Sequence, residues 1–467
     1  MAQAPGLTAC PIKLPAAPAI STWQDDPVLQ EMAATNLEKL RIIDQEDPFL
    51  FSPTRTPAGG WSSAISASQH PKDCKRFVLL EDDQPGAGLG MTSRYLTPLL
   101  LAAVRAGRVL AEVRPDYARW RNITSLGLQP LFNRSQPPAR WCDRPPYTLA
   151  CVFEPWTRCP IPQSAHKLGR MVSQGPPWPT GVAIVFVRTS QIMRWTYLWS
   201  KHRRSKAMPD AHRFLFRPRR WVRQIADCVM ADSGLRPLDG RTQRFFSVHL
   251  RSSPEKEREQ RSRSTASTTQ ARDMMLLSLY LSAALQVQRV HVQTANPSLL
   301  FQFSTFAVTA GLLPFATNHT RSEHDSWGGW TRGGELLQTV IAAVNAHIAA
   351  HAMVILSPAS SMWTRFLAGA LAAPHRYPSS LFTLRSCFGG GITGDIVALT
   401  NVVSINTIDP VRRLCGGSIP MRDSEWPEKM RVLVACPVPG GGLLAPMYFN
   451  PNSSHGCTID REYNQMR

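Results

Sequence analysis

The second half of this chain alternates short apolar runs with helical stretches, and that alternation constrains the fold more than any other feature. Phe245–Leu250 reads as a buried strand, Met274–Val287 as a strongly apolar helix and Arg289–Thr294 as a further strand. The pattern continues with a helix over Leu299–Thr309, a short strand over Leu312–Ala316 and a helix over Glu335–Ala350. Met353–Leu356 reads as a strand and Ser361–Leu371 as a helix. Strands separated by helices point to a parallel sheet, so an α/β fold is expected, with a Rossmann-like domain over residues 241–405.

The first half carries one comparable unit. Arg76–Leu80 reads as a strand, glycines 86, 88 and 90 as a turn, Ser93–Ala106 as a helix ended by Gly107, and Arg108–Val113 as a second strand. That is a βαβ arrangement. Val182–Val187 reads as another strand and 191–225 as mostly helical, with an irregular Trp- and Pro-rich stretch between. Residues 75–240 therefore form an N-terminal α/β domain with a Trp/Pro/Cys-rich insertion. Residues 1–74 read as a poorly ordered leader with a helical patch near Val28–Ile43, and 406–467 as a Gly/Pro/Cys-rich tail of extended loops.

Charge narrows the partners. Lys and Arg number 52 against 33 Asp and Glu, a formal net charge of +19, which attracts polyanions and phosphorylated ligands. No zinc-finger spacing, basic zipper or aromatic RNA-binding signature accompanies it, so nucleic acid is not expected as a partner. That alternative requires Arg203–Arg223 to form one exposed stripe. None of the ten cysteines sits in a CxxC pair, which argues against zinc. Cys142, Cys151 and Cys159 cluster in one loop region, and Cys387, Cys415, Cys436 and Cys457 lie toward the end; both groups are disulfide candidates. Sequons at Asn122, Asn133, Asn318 and Asn452 fit a secretory lumen. The chain start lacks the basic flank and apolar run of a signal peptide. No clean membrane span is seen, since Leu336–Leu356 is interrupted by Gln338, Asn345, His347 and His351. Either an anchor is missing from this chain or the protein is cytosolic.

In open α/β sheets ligands bind beyond the carboxyl ends of the strands. Three features fall there: His249-Leu-Arg251, Thr294-Ala-Asn296-Pro297 and Ser357-Pro-Ala-Ser360-Ser361. An Arg at such a place holds a diphosphate through charge-assisted hydrogen bonds. Hydroxyls and backbone N–H groups at a helix start form an anion site. Each feature alone also fits a plainer role: a satisfied core histidine, a surface charge, a helix cap.

The order of these features resembles the alpha-1,6- and protein O-fucosyltransferase superfamily, through FFSVHLRSSPEKERE, VHVQTANPSLL, SEHDSWGGW and MVILSPASSMWTRFLAGAL. The glycine-rich segment near 76–113 is similar more loosely, and WCDRPPYTLACVFEPWTRC is similar to a segment of algal members. The resemblance spans roughly residues 76–400 and implies two Rossmann-like domains facing one cleft, the GT-B-like architecture. It implies a glycosyltransferase that moves fucose from GDP-fucose to a glycan or glycoprotein hydroxyl, with inversion and with neither metal nor cofactor, in the Golgi lumen. By position it implies that His249 contacts the guanine, that Arg251, Ser360 and Ser361 hold the diphosphate, and that Arg365 serves on the same helix. Asn345 falls where the guanine-reading acid stands, and an amide cannot make the same bidentate pair. Ser252 replaces a second Arg, and Ala295 and Asn296 replace acidic residues. Glu259 stands at the place of a candidate base, with Lys256 nearby to support the leaving phosphate; Asp82 and Asp83 are alternative carboxylates. The other reading is a nucleotide-sugar-binding relative without turnover.

Overall fold

The computed structural model describes residues 25–41, 50–51, 60–81, 89–113, 149–161, 169–172, 175–195, 207–235, 242–251, 266–285, 287–294, 296–317, 335–358, 361–370, 381–386, 396–400, 433–437, 447–449 and 457–459. The chain divides into two compact units, a larger one of Met1–Arg55, Ile225–Glu323 and Ile348–Arg467 and a smaller one of Thr56–Gln224 and His324–His347. Both are discontinuous, unlike the consecutive segments expected from the sequence. The first strand, β1 (Leu50–Phe51), belongs to the larger unit and pairs antiparallel with β6 (Thr242–Gln243).

In the smaller unit β2 (Phe77–Glu81), β3 (Val109–Val113), β4 (Arg170–Met171) and β5 (Ile184–Arg188) form an all-parallel sheet in the order β3-β2-β5-β4. The helix Leu89–Arg105 connects β2 to β3, so the βαβ arrangement is present. Val78, Leu79, Leu110 and Val185 are fully buried, as expected of parallel strands covered on both faces. The helix stops because Gly107 adopts φ +58°, a conformation without steric cost only for glycine. There the N–H of Arg108 reaches back to the Ala103 carbonyl at 2.9 Å and that of Gly107 to Val104 at 3.1 Å, the bonding of a Schellman end.

Arg108 itself is buried. Its Nη1 donates to the carbonyls of Phe77 and Ala183 at 3.3 and 3.1 Å, and its Nη2 to those of Pro179 and Val182 at 2.8 and 2.7 Å. Burial lowers the guanidinium pKa below the ordinary arginine value, and Arg76 adds to the effect. Cys74 and Cys159, 85 residues apart, are disulfide-bonded with Cα atoms 5.6 Å apart. Cys159 thus pairs outside the loop cluster expected to contain its partner. It lies in the apolar cluster of Phe77, Leu79, Val109 and Ile184. Cys151 is disulfide-bonded as well.

The larger unit holds a seven-stranded sheet in the order 433–437, 381–386, 396–400, 354–358, 245–249, 289–293, 313–315. Its parallel part comprises β7 (Phe245–His249), β8 (Arg289–Gln293), β9 (Leu313–Phe315) and β10 (Val354–Pro358). Period-2 alternation sorts the side chains of these strands. Phe246, Val248, Val290, Val292, Val354 and Leu356 share one core with residues of helices Ala266–Leu285 and Pro297–Thr309. Full burial of each large apolar side chain contributes about 1.5–3 kcal/mol relative to exposure. The opposite face carries Ser247, His249, His291, Gln293 and Ser357, with the helix Met362–Ala370 bonded to it through Trp363 and Thr364.

Two sequence expectations are corrected here. The helical patch expected near Val28–Ile43 forms as the helix Pro27–Arg41, but it does not belong to a poorly ordered leader, since its Leu29 and Ala33 belong to the same core as helix 266–285. Asn36 Nδ2 donates to the Ala310 carbonyl at 2.8 Å, and Arg272 Nη2 to Asp26 at 3.1 Å. Within the expected leader the helix Gly60–Gln69 also forms, in the smaller unit. The tail expected as extended loops over 406–467 contributes the strands β13 (Leu433–Pro437), β14 (Met447–Phe449) and β15 (Cys457–Ile459). Together with β11 (Leu381–Ser386) and β12 (Ile396–Thr400), which fall within the segment expected as Rossmann-like, β13 extends the sheet antiparallel from β10, and β14 pairs with β15.

Candidate functional site

The strand order places a reversal between β7 and β10. From β7 the chain steps outward to β8 and β9 through helices on one face. It then returns, through helix Glu335–Ala350, to lay β10 on the other side of β7. The helix after β10 packs on the opposite face. Connections that leave adjacent parallel strands toward opposite faces open a crevice at their carboxyl ends, the topological switch point where ligands of open α/β sheets bind.

His249 ends β7 and Ser357 is the last residue but one of β10, and their side chains meet across this switch point, Nδ1 to Oγ at 2.9 Å. Ser357 Oγ continues to Thr364 Oγ1 at 2.6 Å, and Thr364 donates to the Pro358 carbonyl at 2.6 Å. A second chain of polar groups lies alongside. The indole N–H of Trp363 donates to Gln293 Oε1 at 2.8 Å, and Gln293 Nε2 donates to Ser247 Oγ at 2.7 Å. Ser247 Oγ also lies 3.1 Å from His291 Nδ1. The His291 ring stacks on Phe315 with centroids 5.1 Å apart. Ser247, His291, Ser357 and Thr364 are wholly inaccessible to solvent and Gln293 nearly so. Groups buried this deeply persist because they are hydrogen-bonded.

Of the residues picked out from sequence, the structure brings the three strand-end features to neighbouring strands. His249 and Arg251 are half-buried at the end of β7, and Leu250 N–H donates to the Gln293 carbonyl at 2.8 Å, extending the β7–β8 pairing. At the end of β8, Thr294 Oγ1 accepts from Asn296 N–H at 3.1 Å, and Asn296 Oδ1 accepts from Leu299 N–H at 3.1 Å. Asn296 is therefore the N-cap of helix Pro297–Thr309, with Pro297 at its first position. Ser361 is buried; its N–H donates to the Pro358 carbonyl at 3.0 Å and its Oγ accepts from Trp363 N–H at 3.2 Å. It caps helix Met362–Ala370 beside the His249–Ser357 pair. Both capped helix starts point the positive end of a helix dipole at the carboxyl edge of the sheet.

Asn345 is half-buried in helix Glu335–Ala350, in the stretch grouped with the smaller unit. Glu259, Lys256, Ser360, Ser252, Asp82 and Asp83 lie outside the described residues, as does the side chain of Arg365. The residues missed by sequence reasoning are Ser247, His291, Gln293 and Thr364. The available signal was polarity inside strands and a helix whose remaining pattern is apolar.

The Arg-rich stretch 201–223 does not form one exposed stripe among its described residues. Arg219 Nε donates to the carbonyls of Ala150 and Phe153 at 2.6 and 3.2 Å, and burial lowers its pKa. Arg223 donates to the Pro218 carbonyl at 2.7 Å. Among the described residues no His/Cys/Asp/Glu group is placed to hold a metal ion, and no helix is long and apolar enough to cross a membrane.

No protein-family model matches the chain, and no curated protein matches it. Among solved structures, a mutant of Arabidopsis thaliana FUT1 in complex with GDP aligns with 12% identity and a TM-score of 0.33, covering 75% of this chain and 78% of that one. A likeness at that level bears no weight in the argument for function.

Proposed function

We propose that the chain is a nucleotide-sugar-dependent glycosyltransferase whose donor site lies at the carboxyl ends of β7, β8 and β10. The observation that carries this reading is the switch point. Three sequence features, separately suited to a nucleoside diphosphate, fall on adjacent parallel strands at the one edge where an open sheet parts its connections. His249 and Ser357 are in contact there, and Trp363 ties the helix after β10 to the end of β8.

The finer reading follows the fucosyltransferase resemblance of the sequence. The donor is GDP-fucose, Arg251 and the Ser361-capped helix start take the diphosphate, and Glu259 or a carboxylate among Asp82 and Asp83 serves as base. Transfer proceeds with inversion to a glycan or glycoprotein hydroxyl, in the GT-B-like arrangement and in the Golgi lumen. Asn345 in place of the guanine-reading carboxylate leaves the identity of the donor's nucleobase to experiment. A second reading, a donor-binding relative without turnover, is favoured by Asn296. It stands where the superfamily often has an acid, and its side-chain oxygen is already engaged in capping.

The test is thermal stability of the purified protein with GDP, GDP-fucose, UDP and ADP in turn. A ligand that binds only the folded state adds about 2.7 kcal/mol at a hundredfold excess over its dissociation constant. Stabilisation by the guanine nucleotides alone, abolished by Arg251→Ala, is the expected result. Stabilisation by none of the four overturns the donor reading. Stabilisation by GDP-fucose without release of GDP in the presence of any acceptor selects the second reading.

A further inference from the structure

From the proton count along the polar chain at the switch point, we propose that Ser357 and Thr364 are positioning residues that lock His249 in its Nδ1–H tautomer. The inference deepens the donor-site reading but rests on geometry that stands without it. Three bonds make up the chain: His249 Nδ1 to Ser357 Oγ at 2.9 Å, Ser357 Oγ to Thr364 Oγ1 at 2.6 Å, and Thr364 Oγ1 to the Pro358 carbonyl at 2.6 Å. Each hydroxyl has one proton, and a carbonyl oxygen only accepts.

The carbonyl end sets the direction. The Thr364 proton goes to Pro358 O, since two oxygens 2.6 Å apart without a proton between them repel. Thr364 Oγ1 then accepts from Ser357, so the Ser357 proton is committed as well. Ser357 Oγ has only acceptor capacity left toward the imidazole, and His249 Nδ1 must carry a proton. In the neutral ring the lone pair then resides on Nε2. The second hydrogen bond of a histidine decides what its other nitrogen offers, as a partner on one ring nitrogen does for metal-bound histidines. Burial makes the arrangement binding, because Ser357 and Thr364 are wholly inaccessible and reversal would leave the Pro358 carbonyl facing an oxygen lone pair.

The consequence is chemical. In neutral His249 the Nε2 nitrogen is then a hydrogen-bond acceptor, complementary to an N–H or O–H donor and not to a phosphate oxygen. Imidazole side chains in water favour the opposite, Nε2–H form, so the relay acts against the intrinsic preference.

Long-range 1H–15N spectra of the full chain with 15N-labelled histidine distinguish the tautomers, at a pH well above the usual histidine pKa of about 6.5. His249 is assigned by the signals lost in His249→Gln. The expected result is an Nδ1–H pattern for His249 in the unmodified protein and in Thr364→Ser, which keeps the hydroxyl. In Thr364→Val the Ser357 proton has only His249 Nδ1 left to reach, so the pattern inverts to Nε2–H. An Nε2–H pattern in the unmodified protein overturns the proposal, as does an unchanged pattern in Thr364→Val. If Thr364→Val does not fold, Ser357→Ala serves, and the spectrum of the unmodified protein decides the tautomer by itself. The readout needs no nucleotide, so an Nδ1–H pattern in a protein that no nucleotide stabilises upholds the relay while the donor reading fails.

Discussion

The sheet of the smaller unit buries its polarity at the amino ends of its strands, through Arg108, which gathers carbonyls at the starts of β2 and β5. The parallel strands of the larger unit bury theirs toward the carboxyl ends, through Ser247, Gln293 and Ser357, with the half-buried His249 bonded to Ser357. A cation bonded to backbone carbonyls closes a structure: both terminal nitrogens of the guanidinium are used, and their partners are the chain itself. Side-chain hydroxyls, an amide and imidazoles at a switch point orient groups that still have chemistry to offer. The difference separates a scaffold device from a site, although both appear simply as buried polar residues.

That contrast can be tested from both sides. Arg108→Met removes this donor from the carbonyls of Phe77, Pro179, Val182 and Ala183; Ala183 and Pro179 keep the backbone N–H groups of Phe77 and Val182, and each buried acceptor left unpaired costs about 1–3 kcal/mol. The expected loss, read by denaturant unfolding, is at least about 2 kcal/mol. A loss below about 1 kcal/mol would mean that other donors replace the guanidinium, and the contrast would collapse. In the larger unit Asn296→Ala removes one helix cap and is expected to cost about 1 kcal/mol, with Asn296→Asp close to neutral. Equal losses in the two variants would place Asn296 in a wider role than capping.

The smallest effect is a pH slope at His70. Burial lowers its pKa, and the charges of Arg158 and Arg217 lower it further; the ring Nδ1 also accepts from Arg158 N–H at 3.3 Å. The unfolded chain titrates near the ordinary value of about 6.5, so between that value and the lower folded one the unfolded state binds more protons. Stability is then fully present above about pH 6.5 and falls as the pH drops toward the folded pKa. His70→Asn is expected to flatten this slope in unfolding measured across mildly acidic pH, and an unchanged slope would assign it to other groups.

Much of this organisation was legible in the sequence. Helix Glu335–Ala350 occupies the expected bounds, and the strands at 245, 289 and 354 lie within a residue or two of expectation, because apolar runs between helices have one economical arrangement. Gly107 was readable as a helix stop for the same local reason. The site was legible only as far as its motifs end strands. Ser247 and His291 sit mid-strand between apolar neighbours, and nothing in either strand alone reveals that they face each other. The Cys74–Cys159 pairing was out of reach because spacing does not name partners. The antiparallel strands β11, β12 and β13 were missed because their Gly- and Pro-rich surroundings speak for loops, while pairing to β10 is a tertiary event that overrides local preference.

The N-terminal helix Pro27–Arg41 has a consequence in time. It leaves the ribosome well before its partner, since Asp26 meets Arg272 across a separation of 246 residues. At about 5–20 residues per second the helix waits roughly 10–50 s for that partner to be synthesised. Throughout that interval Leu29 and Ala33 have no core to enter. A nascent chain stalled before helix 266–285 emerges therefore presents an unburied apolar stripe, the kind of surface that chaperones hold.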